Sequence, residues 1–134
     1  LLDAGGYDCA SNEFEETFPV GFDVRCYDFK KLSEAEIVDK DPAYREHAGY
    51  SIRSHPEKFK LGNWRAGGEM VWPTLRLTLD TKEDYELLCA VYEALYPTNP
   101  DFSAHDVVAF LKGRPDLVAI NSTVEQFVPV VLDN

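Results

Sequence analysis

Four short stretches of the chain carry the apolar pattern of β-strands. Side chains of a strand alternate between two faces, so a period of two marks one buried face. The stretches are residues 7–11, 22–29, 59–64 and 75–79. In the second of them, Phe22, Val24 and Cys26 are predicted to be buried. Asp23 and Arg25 then share the opposite face.

Apolar residues three and four positions apart predict helices between and after these strands. The predicted helices are residues 31–39, 42–54, 82–95 and 104–112. The segment from Thr81 to Asp84 resembles a capping box, and Gly113 is expected to end the last helix or to have a positive φ. The residues at core spacing in the last two helices are Tyr85, Leu88, Cys89, Tyr92 and Leu95, and Val107, Val108 and Leu111.

Two amphipathic helices after a strand indicate an α/β fold with helices packed on a sheet. The final residues 122–134 contain a short apolar run interrupted by Pro129, which leaves both an edge strand and disorder open. The chain begins at Leu1 without a methionine and reaches a glycine pair, Gly5 and Gly6, as if a helix ended there. We therefore interpret it as a fragment of a larger α/β unit.

Composition and charge argue against a membrane-spanning protein and against a nucleic-acid-binding protein. The chain is 45% hydrophobic and contains no run of about 18 apolar residues, so we expect a globular domain without a membrane span. Lys and Arg total 13 against 24 Asp and Glu, giving a net charge of -11, which would repel nucleic acid. Small polyanions such as nucleotides stay open as ligands, because a local cluster of amides and cations binds them.

The three cysteines lack the spacing of a metal site. Cys9, Cys26 and Cys89 form no C-x-x-C pair, and no histidine stands near them at zinc spacing. We interpret all three as buried free thiols, which predicts a reducing, cytoplasmic compartment.

Several segments together resemble a known family. They are residues 17–23 (TFPVGFD), 45–47 (REH), 76–84 (RLTLDTKED), 96–103 (YPTNPDFS) and 120–121 (IN). In this order and approximate spacing, the chain resembles the carboxy-terminal part of the cytidylyltransferase-like family of spore-coat polysaccharide synthesis. The resemblance covers nearly residues 1–121, which we take as one domain portion followed by the tail 122–134.

The resemblance implies a Rossmann-like nucleotide-diphospho-sugar transferase fold, with a mixed sheet flanked by helices. It also implies transfer of a cytidylyl group from CTP to an acidic or related sugar, with pyrophosphate release and a requirement for Mg²⁺. In the family a glycine- and arginine-containing loop holds the phosphates, and the pair Gly67 and Gly68 is too short to replace it. We therefore expect the fragment alone to be inactive.

Asp80 is the first candidate site residue. It stands at the carboxyl end of a predicted strand, where ligands of α/β sheets gather, and a carboxylate there can bind Mg²⁺. Related CMP-sugar synthetases place a metal-binding aspartate similarly, so the resemblance assigns this role to Asp80. The alternative is that Asp80 is only the N-cap of the following helix.

Four further residues are candidates for substrate binding. Asp23 lies in the PVGFD segment, and the acidic residue common two positions later in the family is replaced here by Arg25. Arg25 would contact a substrate carboxylate or pair with Asp23, and a solvated strand face is the alternative for both. Arg45 and His47 would bind an anionic sugar or a phosphate. The alternative is a helix in which Glu46 and Arg53 are surface charges and His47 is half-buried.

Two other functions stay open at this point. The chain would also suit a non-catalytic interaction or dimerisation domain, and a homodimer is compatible with either reading. The second of these functions is that of a nucleotide-sugar glycosyltransferase with the same fold, because fold does not determine function.

Overall fold

The computed structural model describes residues 5–38 and 49–125. The described chain divides into two compact units. Unit 1 contains residues 5–15, 24–38 and 49–64, and unit 2 contains residues 16–23 and 65–125.

Unit 1 is a three-stranded sheet with two helices. Its elements are β1 (Cys9–Ser11), β2 (Arg25–Tyr27), α1 (Phe29–Val38), α2 (Tyr50–Ser54) and β3 (Leu61–Asn63). The strand order is β2-β1-β3, in which β1 pairs antiparallel with β2 and parallel with β3. The predicted α/β class with a mixed sheet is thereby confirmed.

The core of unit 1 lies between one face of this sheet and its helices. The register places Cys9 between Tyr27 and Leu61. These side chains pack with Ile52 of α2 and with Ala35 of α1. Gly49 precedes α2 with a φ of 71°, and a Cβ at this position would overlap the ring of Tyr27. The close approach of α2 to the sheet therefore requires glycine at residue 49.

The predicted burial of the second strand holds in part for Phe22, which is half-buried against the core of unit 2, and is wrong for the other two residues. Val24 and Cys26 are exposed, whereas Tyr27 is half-buried in the core of unit 1. The helices cover the face that carries Tyr27, whose ring offers more apolar area than a cysteine. The prediction of three buried thiols is also wrong, because only Cys9 is buried while Cys26 is exposed and Cys89 is half-buried.

Unit 2 is mainly helical. Its elements are a 3-10 helix (Gly68–Met70), α3 (Lys82–Leu95), α4 (Ala104–Lys112) and a short α5 (Pro115–Val118). The bounds of α3 and α4 match the prediction, and both begin with a capping box, formed by Thr81 with Asp84 and by Ser103 with Asp106. Gly113 ends α4 with a φ of -86°, so this helix stops without a left-handed glycine.

The predicted strand at 75–79 is reduced to a single bridge. Arg76 forms an isolated parallel bridge with Val20, in which the Val20 N–H donates to the Leu75 carbonyl and the Leu77 N–H donates to the Val20 carbonyl, both at 2.8 Å. Gly21 follows with a φ of 104°, and a Cβ there would lie 2.7 Å from the Leu77 oxygen. The prediction of a regular strand is wrong because the partner segment turns away at Gly21.

The predicted core face of α3 is also wrong in part. Leu87 and Val91 are buried, whereas Tyr85 and Tyr92 are exposed. Asp84 in the first turn is itself buried, and this fixes the rotation of the helix so that positions 84, 87 and 91 point inward. In α4 the predicted core residues Val107, Val108 and Leu111 are all buried, which confirms that face.

Some predictions fall partly or wholly outside the described residues. Of the predicted helix 42–54, only the part from residue 49 is described, and it contains α2. The tail beyond residue 125 lies outside as well. Gly6 has the positive φ, 60°, expected of a glycine that ends a helix. Among the described helices, none has both the length and the apolar character that crossing a membrane requires.

Candidate functional site

A buried ion network in unit 2 is centred on Asp84, whose side chain is 0% exposed. The guanidinium of Arg76, 8% exposed, donates to both carboxylate oxygens. Nε reaches Oδ1 at 2.9 Å and Nη2 reaches Oδ2 at 2.9 Å. This bidentate geometry is the strongest form of an arginine–carboxylate contact.

The start of α3 supplies further donors to the same carboxylate. Oδ2 of Asp84 accepts the backbone N–H groups of Asp80 and Thr81 at 3.0 and 3.2 Å, and the Thr78 hydroxyl at 3.2 Å. The hydrogen bonds from Arg76 hold the pKa of Asp84 well below its usual range, against the opposing effect of burial. The same pairing raises the pKa of Arg76, so both groups stay charged at neutral pH.

Asn121 joins a distant part of unit 2 to this network. Its Nδ2 donates to the Arg76 carbonyl at 3.0 Å and to Oδ1 of Asp84 at 2.8 Å. The side chain is buried. We call the group formed by Arg76, Asp84 and Asn121 the Asp84 network.

Asp80 stands at the exposed edge of the Asp84 network. Nη2 of Arg76 donates to its Oδ2 at 2.9 Å, and the side chain is 62% exposed. The N-cap of α3 is Thr81, so the alternative that Asp80 caps the helix is wrong. Asp80 instead presents a carboxylate to solvent from a position fixed by a buried arginine.

The arrangement is compatible with a magnesium ligand at Asp80. Mg²⁺ is commonly bound by one or two carboxylates together with water and substrate phosphates, and an exposed carboxylate meets that requirement. Within residues 5–38 and 49–125, no group of three or more His, Cys, Asp or Glu side chains is placed to hold a metal ion alone. Asp80 would therefore act with ligands from the substrate or from residues beyond those described.

The other sequence candidates divide between the two units and the residues that the structure does not describe. Asp23 is an exposed residue of unit 2, after a turn in which the Phe22 N–H donates to the Pro19 carbonyl at 3.2 Å. Arg25 belongs to unit 1 and makes a bidentate ion pair with Glu13. Arg45 and His47 lie outside the described residues.

Sequence reasoning missed Arg76 and Asn121. The alternation of apolar residues around Arg76 favours a solvent-facing side chain, yet the structure buries it against Asp84. Asn121 is 37 positions from Asp84, so no local period connects them. The signal available in the sequence was Asp84 itself. It is an acidic residue at the N3 position of a capping box, eight positions after Arg76.

We expect Asn121→Ala to lower the free energy of unfolding by about 1–3 kcal/mol, because it leaves the buried Arg76 carbonyl without its Asn121 donor. Urea unfolding measures this. Asn99→Ala is the matched control, since Asn99 is exposed and its Oδ1 accepts from the nearby Asp101 N–H. Equal stability of the two variants would contradict the role assigned to Asn121.

Two known proteins are similar to this chain, one in sequence and one in fold. The chain is 38% identical over 82 residues to the spore coat polysaccharide biosynthesis protein SpsF of Bacillus subtilis (strain 168), which covers 61% of this chain and 34% of the relative. Its fold is similar to that of a cytidylyltransferase from Leptospira borgpetersenii serovar Hardjo-bovis (strain JB197), with a TM-score of 0.76 and 27% identity. That match covers 87% of this chain and 48% of the other.

The chain thus spans about a third of the curated relative and about half of the solved structure. No family model matches the sequence. The likeness in sequence and in fold nevertheless confirms the resemblance of this chain to the cytidylyltransferase-like proteins of spore-coat polysaccharide synthesis.

Proposed function

We propose that this chain is part of a nucleotidyltransferase that activates a sugar with CTP for surface polysaccharide synthesis. The observation that carries the proposal is the likeness to a cytidylyltransferase over 87% of the chain, at 27% identity. The 38% identity to a spore-coat polysaccharide protein supports the same pathway class. The products of this reaction are a CMP-sugar and pyrophosphate.

Asp80 is the proposed magnesium ligand of this chain. Arg76 holds one oxygen of its carboxylate, and the bidentate contact with Asp84 fixes the arginine in turn. The other oxygen, Oδ1, has no hydrogen-bond partner among the described residues. Bound Mg²⁺ would neutralise charge on the nucleotide phosphates. The protein's own contribution is to hold this carboxylate in one position through Arg76.

Substrate binding is proposed for Asp23, Arg25, Arg45 and His47. Asp23 is exposed and able to accept hydrogen bonds from sugar hydroxyls, while Arg25 is held in one orientation by Glu13. We propose that the phosphate-binding loop comes from another part of the full-length protein. A cytoplasmic location fits substrates of this kind and is part of the proposal.

Nucleotide binding tests the proposal directly. In calorimetric titrations with Mg²⁺ present, the full-length protein should bind CTP more tightly than ATP, GTP or UTP. This 134-residue chain alone should bind CTP with a Kd above about 1 μM, because the phosphate loop is expected elsewhere. Absence of binding to any nucleotide by the folded full-length protein would overturn the proposal. Tight binding by the chain alone would show that the nucleotide site has been misplaced.

A further inference from the structure

The two oxygens of the Asp80 carboxylate have different surroundings. Oδ2 accepts a hydrogen bond from Nη2 of Arg76 at 2.9 Å and so lies beside a positive charge. Oδ1 accepts no hydrogen bond from residues 5–38 or 49–125, and the side chain as a whole is 62% exposed. A cation bound at Oδ2 would be repelled by the adjacent guanidinium, whereas a cation bound at Oδ1 alone would stay farther from it.

Asp84 fixes Asp80 at two points. Oδ2 of Asp84 accepts the Asp80 backbone N–H at 3.0 Å and Nη2 of Arg76 at 2.9 Å. The same Nη2 donates to the Asp80 carboxylate, which closes a ring of hydrogen bonds between the main chain and the side chain of Asp80. The side chains of Asp84 and Arg76 are 0% and 8% exposed, so buried groups anchor this ring. The Asp80 carboxylate therefore has to break its contact with Arg76 before it can turn both oxygens toward a ligand.

Mg²⁺ and Ca²⁺ differ in how they use a carboxylate. Mg²⁺ requires a nearly regular octahedron of ligands at about 2.0–2.1 Å and keeps several waters. Ca²⁺ takes about six to eight oxygens at about 2.3–2.6 Å in a flexible geometry, and one carboxylate can give it both oxygens. The number of available oxygens and the rigidity of the site therefore determine which ion is preferred. An aspartate with one oxygen held by an arginine offers the ion a single oxygen from a fixed position.

We propose that Arg76 is a specificity-determining residue, which restricts Asp80 to one metal-binding oxygen and so makes the site prefer Mg²⁺ to Ca²⁺. The inference rests on the proposed nucleotidyltransferase function, in which Asp80 is the magnesium ligand. It goes beyond that function because it assigns the choice of cation to a buried arginine that does not itself bind the metal. Arg76 acts as a positioning residue, and the bidentate contact with Asp84 keeps it in place.

Competition for bound Mn²⁺ in the full-length protein measures this preference without a catalytic assay. Electron paramagnetic resonance follows Mn²⁺ while Mg²⁺ or Ca²⁺ displaces it, and the ratio of the two displacement constants gives the selectivity. CTP is present and sugar is absent in every sample, so the contribution of free CTP cancels between variants.

Arg76→Lys is the first variant to compare with the wild type. Lysine keeps a positive charge beside Asp84 but lacks the planar fork that reaches both carboxylates. We expect the preference for Mg²⁺ over Ca²⁺ to fall about 10-fold, the effect of one charge-assisted hydrogen bond, mainly because Ca²⁺ binds more tightly. Arg114→Lys is the matched control and should leave the preference unchanged, since Arg114 makes an exposed bidentate contact with Asp116.

Asp80→Glu tests the same inference without changing a buried residue. The added methylene group moves the carboxylate away from the position in which Arg76 binds it, and the exposed side chain should leave the melting temperature nearly unchanged. The preference for Mg²⁺ should again fall about 10-fold. If Arg76→Lys does not fold, Asp80→Glu alone gives the result.

The outcomes separate this inference from the proposed function. An unchanged preference in the folded variants, with a wild type that binds metal and releases pyrophosphate, would overturn the inference and leave the proposed function standing. A wild type that binds Ca²⁺ as tightly as Mg²⁺ would also overturn the inference alone. Failure of the wild type to release pyrophosphate from CTP with any sugar would overturn the proposed function, and the inference with it.

Discussion

Asp84→Asn is expected to lower the free energy of unfolding by about 3–5 kcal/mol, because it leaves the buried guanidinium of Arg76 without its main counter-charge. Asparagine keeps the size of the side chain, so the loss reports charge and hydrogen bonding rather than a cavity. The contribution of Asp80 is small in comparison, since that carboxylate is 62% exposed. Urea unfolding followed by circular dichroism measures the effect.

The control for Asp84→Asn is the same substitution at Asp116. Asp116 also pairs with an arginine, since Nη2 of Arg114 donates to its Oδ2 at 2.7 Å. Both of these side chains are exposed. Asp116→Asn should therefore cost at most about 1 kcal/mol. Similar losses at the two positions would contradict the account of the Asp84 network.

The pH dependence of unfolding gives the same prediction a second readout. The folded-state pKa of Asp84 is depressed, so its stabilising effect is present above the unfolded pKa of about 3.9 and is lost as pH falls further. The difference in unfolding free energy between wild type and Asp84→Asn should be constant above about pH 5 and shrink below about pH 4. A constant difference down to pH 2 would contradict the depressed pKa.

Asp80→Asn in the full-length protein is expected to reduce kcat/KM by about 100-fold or more, because the proposed metal ligand would lose its charge. The melting temperature should hardly change, since the side chain is exposed and an amide oxygen still accepts from Arg76. Activity assays at saturating and limiting Mg²⁺ measure the effect.

Asp101→Asn serves as the control for Asp80→Asn, because it removes an exposed carboxylate of unit 2 outside the Asp84 network. It should retain wild-type activity. A folded Asp80→Asn variant with normal kcat/KM would remove Asp80 from the proposed metal site. Loss of activity together with a large fall in melting temperature would indicate a structural role instead.

Local signals predicted the two longer helices of unit 2, α3 and α4, well. The capping residues Thr81 and Ser103 and the spacing of apolar residues gave the bounds of α3 and α4 as the structure has them. These signals act within a few residues of each other, so the sequence alone contains them. The rotation of α3 was harder to predict, because the burial of Asp84 depends on Arg76 and Asn121.

Pairings between distant segments were predicted less well. The face of β2 that is buried depends on which side of the sheet α1 and α2 cover, and the period of two does not determine that. The candidate site shows the same limit. Asp80 was proposed from its position at the end of an extended segment, whereas the ion pair of Arg25 with Glu13 joins residues 12 apart and has no local signal in the sequence.

The most direct measurement of the central proposal is product formation by the full-length protein. With CTP, Mg²⁺ and a panel of keto and acidic sugars, we expect pyrophosphate and a CMP-sugar to appear in equimolar amounts, detected by a coupled pyrophosphate assay and mass spectrometry. Sugar transfer from a nucleotide-sugar donor, without pyrophosphate, would indicate the glycosyltransferase alternative. A folded protein that forms no product with any nucleotide and sugar would contradict the nucleotidyltransferase account and favour a non-catalytic interaction domain.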